Sequence, residues 1–218
     1  IIDAETMAAL PCLRYIGVTA TGYNVVDIAE AHRRNIIVTN IPAYSTMSVA
    51  QMVMAHLLNI TNQVALHSDA VKQGEWKQSP DFSFTKSPIT ELDGLTMGII
   101  GLGRIGRAVA DIARAFGMNV IAYNRSQSEE GKAIGSYVNL EELLATADII
   151  SLHCPLTQDT THLIRAESIA QMKDGVVILN TSRGALVNSE DLIQEGMIGL
   201  FKAVRDYDCG RDASFFTF

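Results

Sequence analysis

The sequence predicts an α/β protein built on parallel sheet, and three observations carry that prediction. Short apolar runs alternate with helix-period segments along most of the chain, as in consecutive βα units. Runs such as DIISL and GVVILN are apolar almost throughout, the pattern of strands buried on both faces of a parallel sheet. A glycine-rich turn in MGIIGLGRIG joins one such run directly to a helical segment.

Taken in order, residues 14–18 read as a strand, 19–24 as a polar turn, 26–34 as a short helix and 36–39 as a second strand, which is a βαβ rhythm. After Pro42, residues 46–72 keep Val49, Met52, Val53, Leu57, Ile60, Val64 and Val71 on roughly one helical face, so one long helix is expected. Met47, Met52 and Met54 are read as core filling within it. Residues 74–88, GEWKQSPDFSFTKSP, lose this periodicity and gather Pro, Ser, Thr and aromatic residues. They are expected to form an ordered connection with Trp76 and Phe82 packed beneath it. The domain boundary is placed at its end, giving domains 1–88 and 89–218. Beyond it, strands are expected at 96–101, 119–123, 148–152 and 176–180, and helices at 104–116, 140–145 and 167–172.

Composition narrows the function classes. Of 218 residues, 48% are apolar and 19% charged, and the formal charge is -7 from 17 basic and 24 acidic side chains. That describes a globular chain with a real core, and with a mean hydropathy of +0.16 it excludes disorder. With an acidic balance and no Lys or Arg run, no nucleic-acid partner is expected. Cys12, Cys154 and Cys209 match neither a disulfide framework nor a metal-ligand spacing, so no metal is expected and the compartment reads as reducing cytoplasm. The opening IIDAETMAALPCLRYIG has no leader pattern and no run of about 18 apolar residues occurs, so no membrane association is expected.

Gly101, Gly103 and Gly106 stand at GxGxxG spacing between a strand and a helix. Their tasks are a tight turn, close backbone approach to a pyrophosphate, and helix packing against the strand, while amides at the helix start meet the anion. A dinucleotide site follows. The next strand ends at Asn124, Arg125 and Ser126, where a carboxylate would bind the adenosine ribose hydroxyls. Without that carboxylate, and with a guanidinium and a hydroxyl adjacent, the pattern predicts a preference for NADP(H). The alternative is that Arg125 points into solvent and Asn124 serves the ribose of NAD.

The chain resembles the D-isomer-specific 2-hydroxyacid dehydrogenases, within them the glycerate dehydrogenase or hydroxypyruvate reductase branch. The resemblance spans roughly residues 1–199 and is carried by YIGVTATGYNVVD, VTNIPAYSTMSVAQMVMAHLLN, the glycine turn with RAVADIARAFGMNVIAYNRS, ADIISLHCPLT and VVILNTSRGALVN. The branch rests on ATGYNVVD, NIPAYST and SPDFSF. It implies a Rossmann-like cofactor domain plus part of a flavodoxin-like substrate domain, with hydride passing between NAD(P)H and C2 of a small 2-keto or 2-hydroxy acid. Hydroxypyruvate or glyoxylate, giving D-glycerate or glycolate, is the substrate class implied, and a homodimer formed through the 46–72 helix and its flanks is the assembly.

The same resemblance assigns residues. Arg183 takes the place of the arginine that binds the substrate carboxylate and carbonyl oxygen, which suits a planar guanidinium at a strand's carboxyl end. Ala20, Thr21 and Gly22 correspond to the loop whose amides receive the carboxylate, with Thr21 near the nicotinamide. Arg104 and Ile105 lie along the pyrophosphate, Cys154 and Pro155 line the adenine side, and Thr181 and Ser182 approach the nicotinamide end. Cys154 is then a neutral lining residue, since the neighbouring His153 alternates to the opposite face.

The resemblance also implies a histidine general acid held by a glutamate. The residues after Gly199, LFKAVRDYDCGRDASFFTF, contain neither, although Asp206 aligns with a family aspartate at the end of the following strand. His32, His56 and His67 fall on expected helices of the first domain, His153 and His162 have no carboxylate at suggestive spacing, and all five are read as structural or exposed. The family's opening βα units have no counterpart before Ile1, so the chain is expected to be shortened at both ends. The alternative to an enzyme is a dinucleotide-binding or sensing module of the same fold, lacking chemistry.

Overall fold

The computed structural model describes residues 1–195, which divide into two compact units, one of residues Ile1–Ser48 and a second from Val49 onward. In the first unit, Asp3 accepts a hydrogen bond from the Thr6 amide at 2.9 Å and so starts helix α1 (Ala4–Ala9), which the sequence reading did not anticipate. Strand β1 (Tyr15–Val18), helix α2 (Ile28–Arg33) and strand β2 (Ile37–Asn40) then form one βαβ crossover. The strands pair in parallel from Tyr15 beside Ile37 to Val18 beside Asn40. Met7, Ile16, Val26, Ala31 and Ile36 make the core of this unit. Asp27 caps α2 through the Glu30 amide, and on the outer face Arg33 and then Arg34 hold the Glu30 carboxyl down at about 2.

Helix α3 (Thr46–Asn62) leads from the first unit into the second. The single long helix expected over 46–72 is interrupted at Gln63, which adopts a left-handed conformation (φ 44°) before α4 (Val64–Lys72). Ala50, Val53, Met54 and Leu57 of α3 are buried in the same core as the following sheet. The compact units therefore divide at Ser48 and Val49, well before the boundary expected at 88. Of the three methionines expected as core filling, Met54 is buried, whereas Met47 and Met52 are exposed.

The connection after α4 carries α5 (Glu75–Gln78). It is tied back by His67, whose Nδ1–H donates to Gln63 O (2.9 Å) and whose Nε2 accepts from the Lys86 amide (3.1 Å). Trp76 and His67 both pack on Phe84, with ring centroids 5.9 and 6.4 Å from it. Phe82 is 94% exposed rather than packed beneath the connection, because it meets the fold through its carbonyl, which accepts from Trp76 Nε1.

The remaining elements are β3 (Thr96–Ile100), α6 (Arg104–Ala115), β4 (Asn119–Tyr123), α7 (Glu129–Lys132), β5 (Ser136–Tyr137), α8 (Leu140–Thr146), β6 (Ile149–Leu152), α9 (Ala166–Ile169) and β7 (Val177–Asn180). The five strands form one parallel sheet in the order β5-β4-β3-β6-β7. Alternation along β6 sends Ile149 to the face covered by α3 and α6, and Ile150 and Leu152 to the face covered by α8 and α9. Both faces are dry, which is why these strands read as continuous apolar runs. The chain winds outward from β3 in both directions, as in a Rossmann-type domain, and the order reverses beside β3.

Candidate functional site

Open parallel sheets bind ligands beyond the carboxyl ends of their strands, at the point where strand order reverses. Here that point lies between β3 and β6, and the glycine turn leaves β3 there. Gly101 has φ +101°, and a Cβ on it would stand 2.5 Å from the Cys154 amide nitrogen and 2.6 Å from the His153 carbonyl carbon. The turns that follow β3 and β6 are thus in backbone contact. A Cβ on Gly106 would stand 2.3 Å from the Gly101 oxygen, which is how closely α6 approaches the turn. Gly103, by contrast, is exposed, and a Cβ there would meet nothing within 4 Å.

Gly103 is also the N-cap of α6, and no side chain among the described residues caps the helix's first amides. The opening N–H groups of a helix have no partner within it, and with the helix dipole they favour an anion. Arg104 is exposed and Ile105 half-buried in this first turn. An open glycine before uncapped amides is what a pyrophosphate needs, so these residues fit a dinucleotide.

At the end of β4, Asn124 is half-buried and its Nδ2 donates to Ser126 O, closing a tight turn. Arg125 and Ser126 are exposed, and no described residue forms an ion pair with Arg125. Two strands away, beyond β6, Cys154 is half-buried, and burial pushes its thiol above the usual range. Pro155 is exposed, with its carbonyl accepting from Thr160 Oγ1 at 2.7 Å.

The turn after β7 carries Thr181, Ser182 and Arg183, and its own polar groups hold it. Ser182 Oγ donates to Leu152 O in β6 at 2.7 Å, and the Ser182 amide donates to Asn180 Oδ1 at 3.0 Å. Asn180 Nδ2 donates to Arg183 O at 2.8 Å, and Arg183 Nη1 donates to Ser182 O at 2.9 Å. Arg183 is half-buried at the carboxyl end of its strand. The structure therefore brings Gly101, Gly103, Arg104, Asn124, Cys154 and Arg183 to one edge of one sheet. Asp206 lies outside the described residues.

In the first unit, Ala20, Thr21 and Gly22 form the half-buried loop after β1. It is stitched to the end of β2: the Ile41 amide donates to Ala20 O (3.2 Å), Asn40 Nδ2 donates to Thr21 O (2.8 Å), and Thr21 Oγ1 donates to Ile41 O (3.1 Å). Asn40 was not singled out from the sequence, although an amide side chain ending a strand is a common loop anchor. Asn180 and Ser151 were missed for a similar reason.

Comparison with known proteins agrees with this geometry. Residues 54–201 match the model of the D-isomer specific 2-hydroxyacid dehydrogenase NAD binding domain. A hydroxypyruvate reductase of Blautia hydrogenotrophica is 48% identical over 191 residues, covering 87% of this chain and 59% of the relative. A glyoxylate reductase of Thermococcus litoralis is 40% identical over 199 residues, covering 88% and 59% respectively. The crystal structure of an Aquifex aeolicus D-lactate dehydrogenase complexed with NAD and lactic acid superposes with a TM-score of 0.81 at 38% identity, covering 89% of this chain and 57% of that one. The chain thus spans about three fifths of the length of the curated relatives it matches. With a glycine turn open to an anion and a strand-end arginine on the same sheet edge, the chain belongs to the D-isomer specific 2-hydroxyacid dehydrogenase family and carries its NAD-binding domain.

Proposed function

We propose that this chain serves hydride transfer between a nicotinamide dinucleotide and C2 of a small 2-keto or 2-hydroxy acid, of the hydroxypyruvate and glyoxylate class, giving D-glycerate or glycolate. The observation that carries this reading is Arg183, wired by Asn180 and Ser182 at the carboxyl end of β7 in the sheet that bears the glycine turn. Its planar guanidinium can pair with a carboxylate and polarise a neighbouring carbonyl, which a lysine ammonium cannot do in one geometry. The bound dinucleotide supplies the hydride for C2. Gly103 and the first amides of α6 hold its pyrophosphate, with Arg104 and Ile105 alongside. Cys154 and Pro155 line the adenine side, Thr181 and Ser182 the nicotinamide end, and Asp206 is assigned to cofactor binding by resemblance. Ala20, Thr21 and Gly22 are the carboxylate-receiving loop of the first unit. His153 is not a proton donor, because burial lowers its pKa to about 4 and leaves it neutral.

The exposed Arg125 and Ser126 beside Asn124 suit a 2′-phosphate, so NADPH is the preferred cofactor in this proposal. Met52, Ile60, Val64, Leu66 and Val71 are exposed along α3 and α4 and make the surface for a homodimer, which sedimentation at micromolar concentration would show. A reducing, cytoplasmic location fits free Cys12 and Cys154, and no helix among the described residues is long and apolar enough to cross a membrane.

The test is oxidation of NADPH and NADH by the purified chain with hydroxypyruvate and with glyoxylate. Turnover that Arg183→Lys reduces by about a hundredfold or more supports the proposal. Tight dinucleotide binding without turnover on any 2-keto acid assigns the chain to the rival reading, a binding module of the same fold. A Michaelis constant about tenfold lower for NADH than for NADPH overturns the cofactor preference.

A further inference from the structure

Three side-chain polar atoms among the described residues are buried without a hydrogen-bond partner, and two of them, His153 Nδ1 and Thr181 Oγ1, are neighbours in the fold. Strands β6 and β7 pair in parallel up to Leu152 beside Asn180, and His153 and Thr181 are the residues that follow these two strand ends. Alternation puts both side chains on the same face, beyond Ser151 in one strand and Leu179 in the other. Neither atom bonds the other directly, and across strands about 4.8 Å apart one bridging water is enough to join them.

The surroundings leave these two atoms for each other. His153 Nε2 is engaged with the fully buried Ser151 hydroxyl at 2.8 Å, and the His153 amide continues the ladder to Ile100 O at 2.8 Å. A neutral imidazole has one donor and one acceptor nitrogen, so the ring's free edge takes whichever role Ser151 leaves it, and a hydroxyl can answer either. In the turn after β7, Ser182 is tied to β6 and Asn180 to Arg183, while the Thr181 hydroxyl is the polar group left to engage.

We propose that His153 and Thr181 form a coupled hydrogen-bonding pair across the ends of β6 and β7 that orients the Thr181–Ser182–Arg183 turn, with His153 as a positioning residue that acts on Arg183 through Thr181. Ser182 anchors one side of that turn to β6, and the pair anchors the other. The pair thus adds a second tie to β6 beside the bonds that Asn180, Ser182 and Arg183 make within the turn. The imidazole stays uncharged because it is desolvated, so it can hold its place without presenting charge beneath the acid's carboxylate. This inference rests on the reading of Arg183 as the acid's anchor.

The experiment measures binding of oxamate, an unreactive analogue of a 2-keto acid, to the full chain saturated with NADH. His153→Leu and Thr181→Val are each expected to weaken oxamate about fivefold or more, and the double variant to be no weaker than either single one, as coupling requires. His153→Asn, which keeps a polar atom near the Nδ1 position, and Thr181→Ser are expected to restore binding to within about twofold of the unsubstituted chain. The NADH affinity of His153→Leu should fall by a smaller factor than its oxamate affinity, since the pyrophosphate is held at the Gly103 turn, and an equal or larger loss for NADH overturns the proposal. Additive losses, or oxamate binding indifferent to both substitutions, overturn the proposal. If the unsubstituted chain binds NADH but not oxamate, the reading of Arg183 fails separately. The pair is then judged by the imidazole nitrogen resonances of His153: Thr181→Val should shift Nδ1, and an unmoved Nδ1 overturns the pairing. Thr181→Val is nearly isosteric, so that arm does not depend on a variant that unfolds.

Discussion

A buried imidazole makes the stability of the folded chain sensitive to protons between about pH 6.5 and 4. His153 has its pKa lowered from 6.5 to about 4 by burial, whereas the unfolded chain binds the proton at the ordinary value. Between those values the unfolded state binds more protons, so stability is complete above about pH 6.5 and falls as pH drops towards 4. At 1.36 kcal/mol per unit the loss amounts to about 3 kcal/mol by pH 4. Glu30, lowered from 4.5 to about 2 chiefly by Arg33, loses its contribution between those two values, for the most part at lower pH. Denaturant unfolding of the chain should therefore show a slope of about one proton between pH 6.5 and 4 that His153→Asn removes. An unchanged slope in the variant would assign the titration to another group.

At the scale of the element, the turn between β3 and α6 separates two jobs that a bare sequence merges into one glycine motif. Gly103→Ala adds a methyl where nothing lies within 4 Å, so the fold should stay intact, with the melting temperature moving by no more than about 2 °C. The same methyl stands where an anion would approach the amides, and NADH should bind about tenfold or more weakly. Gly106→Ala drives a Cβ to within 2.3 Å of Gly101 O, and calorimetric unfolding should show a loss of about 1–3 kcal/mol. If both variants lost stability alike, the division of labour would be wrong. These strands and turns were legible from sequence because burial on both faces writes a strand as an unbroken apolar run, and the expectation for 119–123 coincides with β4. The break at Gln63 was not, because no Gly or Pro marks it. It is marked instead by a local bond from the His67 ring to Gln63 O, four residues back, while the same ring's Nε2 accepts from the distant Lys86 amide, a contact that spacing alone does not reveal. The short edge strand β5 was likewise hidden, being two residues long. Among site residues, the glycines and Arg183 carry motif spacing, whereas Asn40, Asn180 and Ser151 act by side-chain bonds to neighbours that strand register brings near.

For the molecule as a whole, each unit has its own core, and the dinucleotide turn belongs to the second. The chain's single tryptophan, Trp76, lies in that unit and reports on it alone. A ligand that binds only the folded form at a hundred times its dissociation constant stabilises by about 2.7 kcal/mol. Saturating NADH should therefore raise the thermal transition seen in Trp76 fluorescence by roughly 5–10 °C, and an unmoved transition would contradict a dinucleotide site there. Organisation at this scale was the least legible in the sequence, since α3 reads simply as an amphipathic helix. The loss of periodicity after residue 74 suggested a boundary, but the burial of Ala50, Val53, Met54 and Leu57 decides where the units part. The seam where Gly101 meets His153 and Cys154 is made of main-chain atoms on the far side, not of side chains. Tolerance to mutation must then be lopsided: residue 154 can be exchanged for other small side chains without disturbing the seam, while residue 101 accepts no replacement at all.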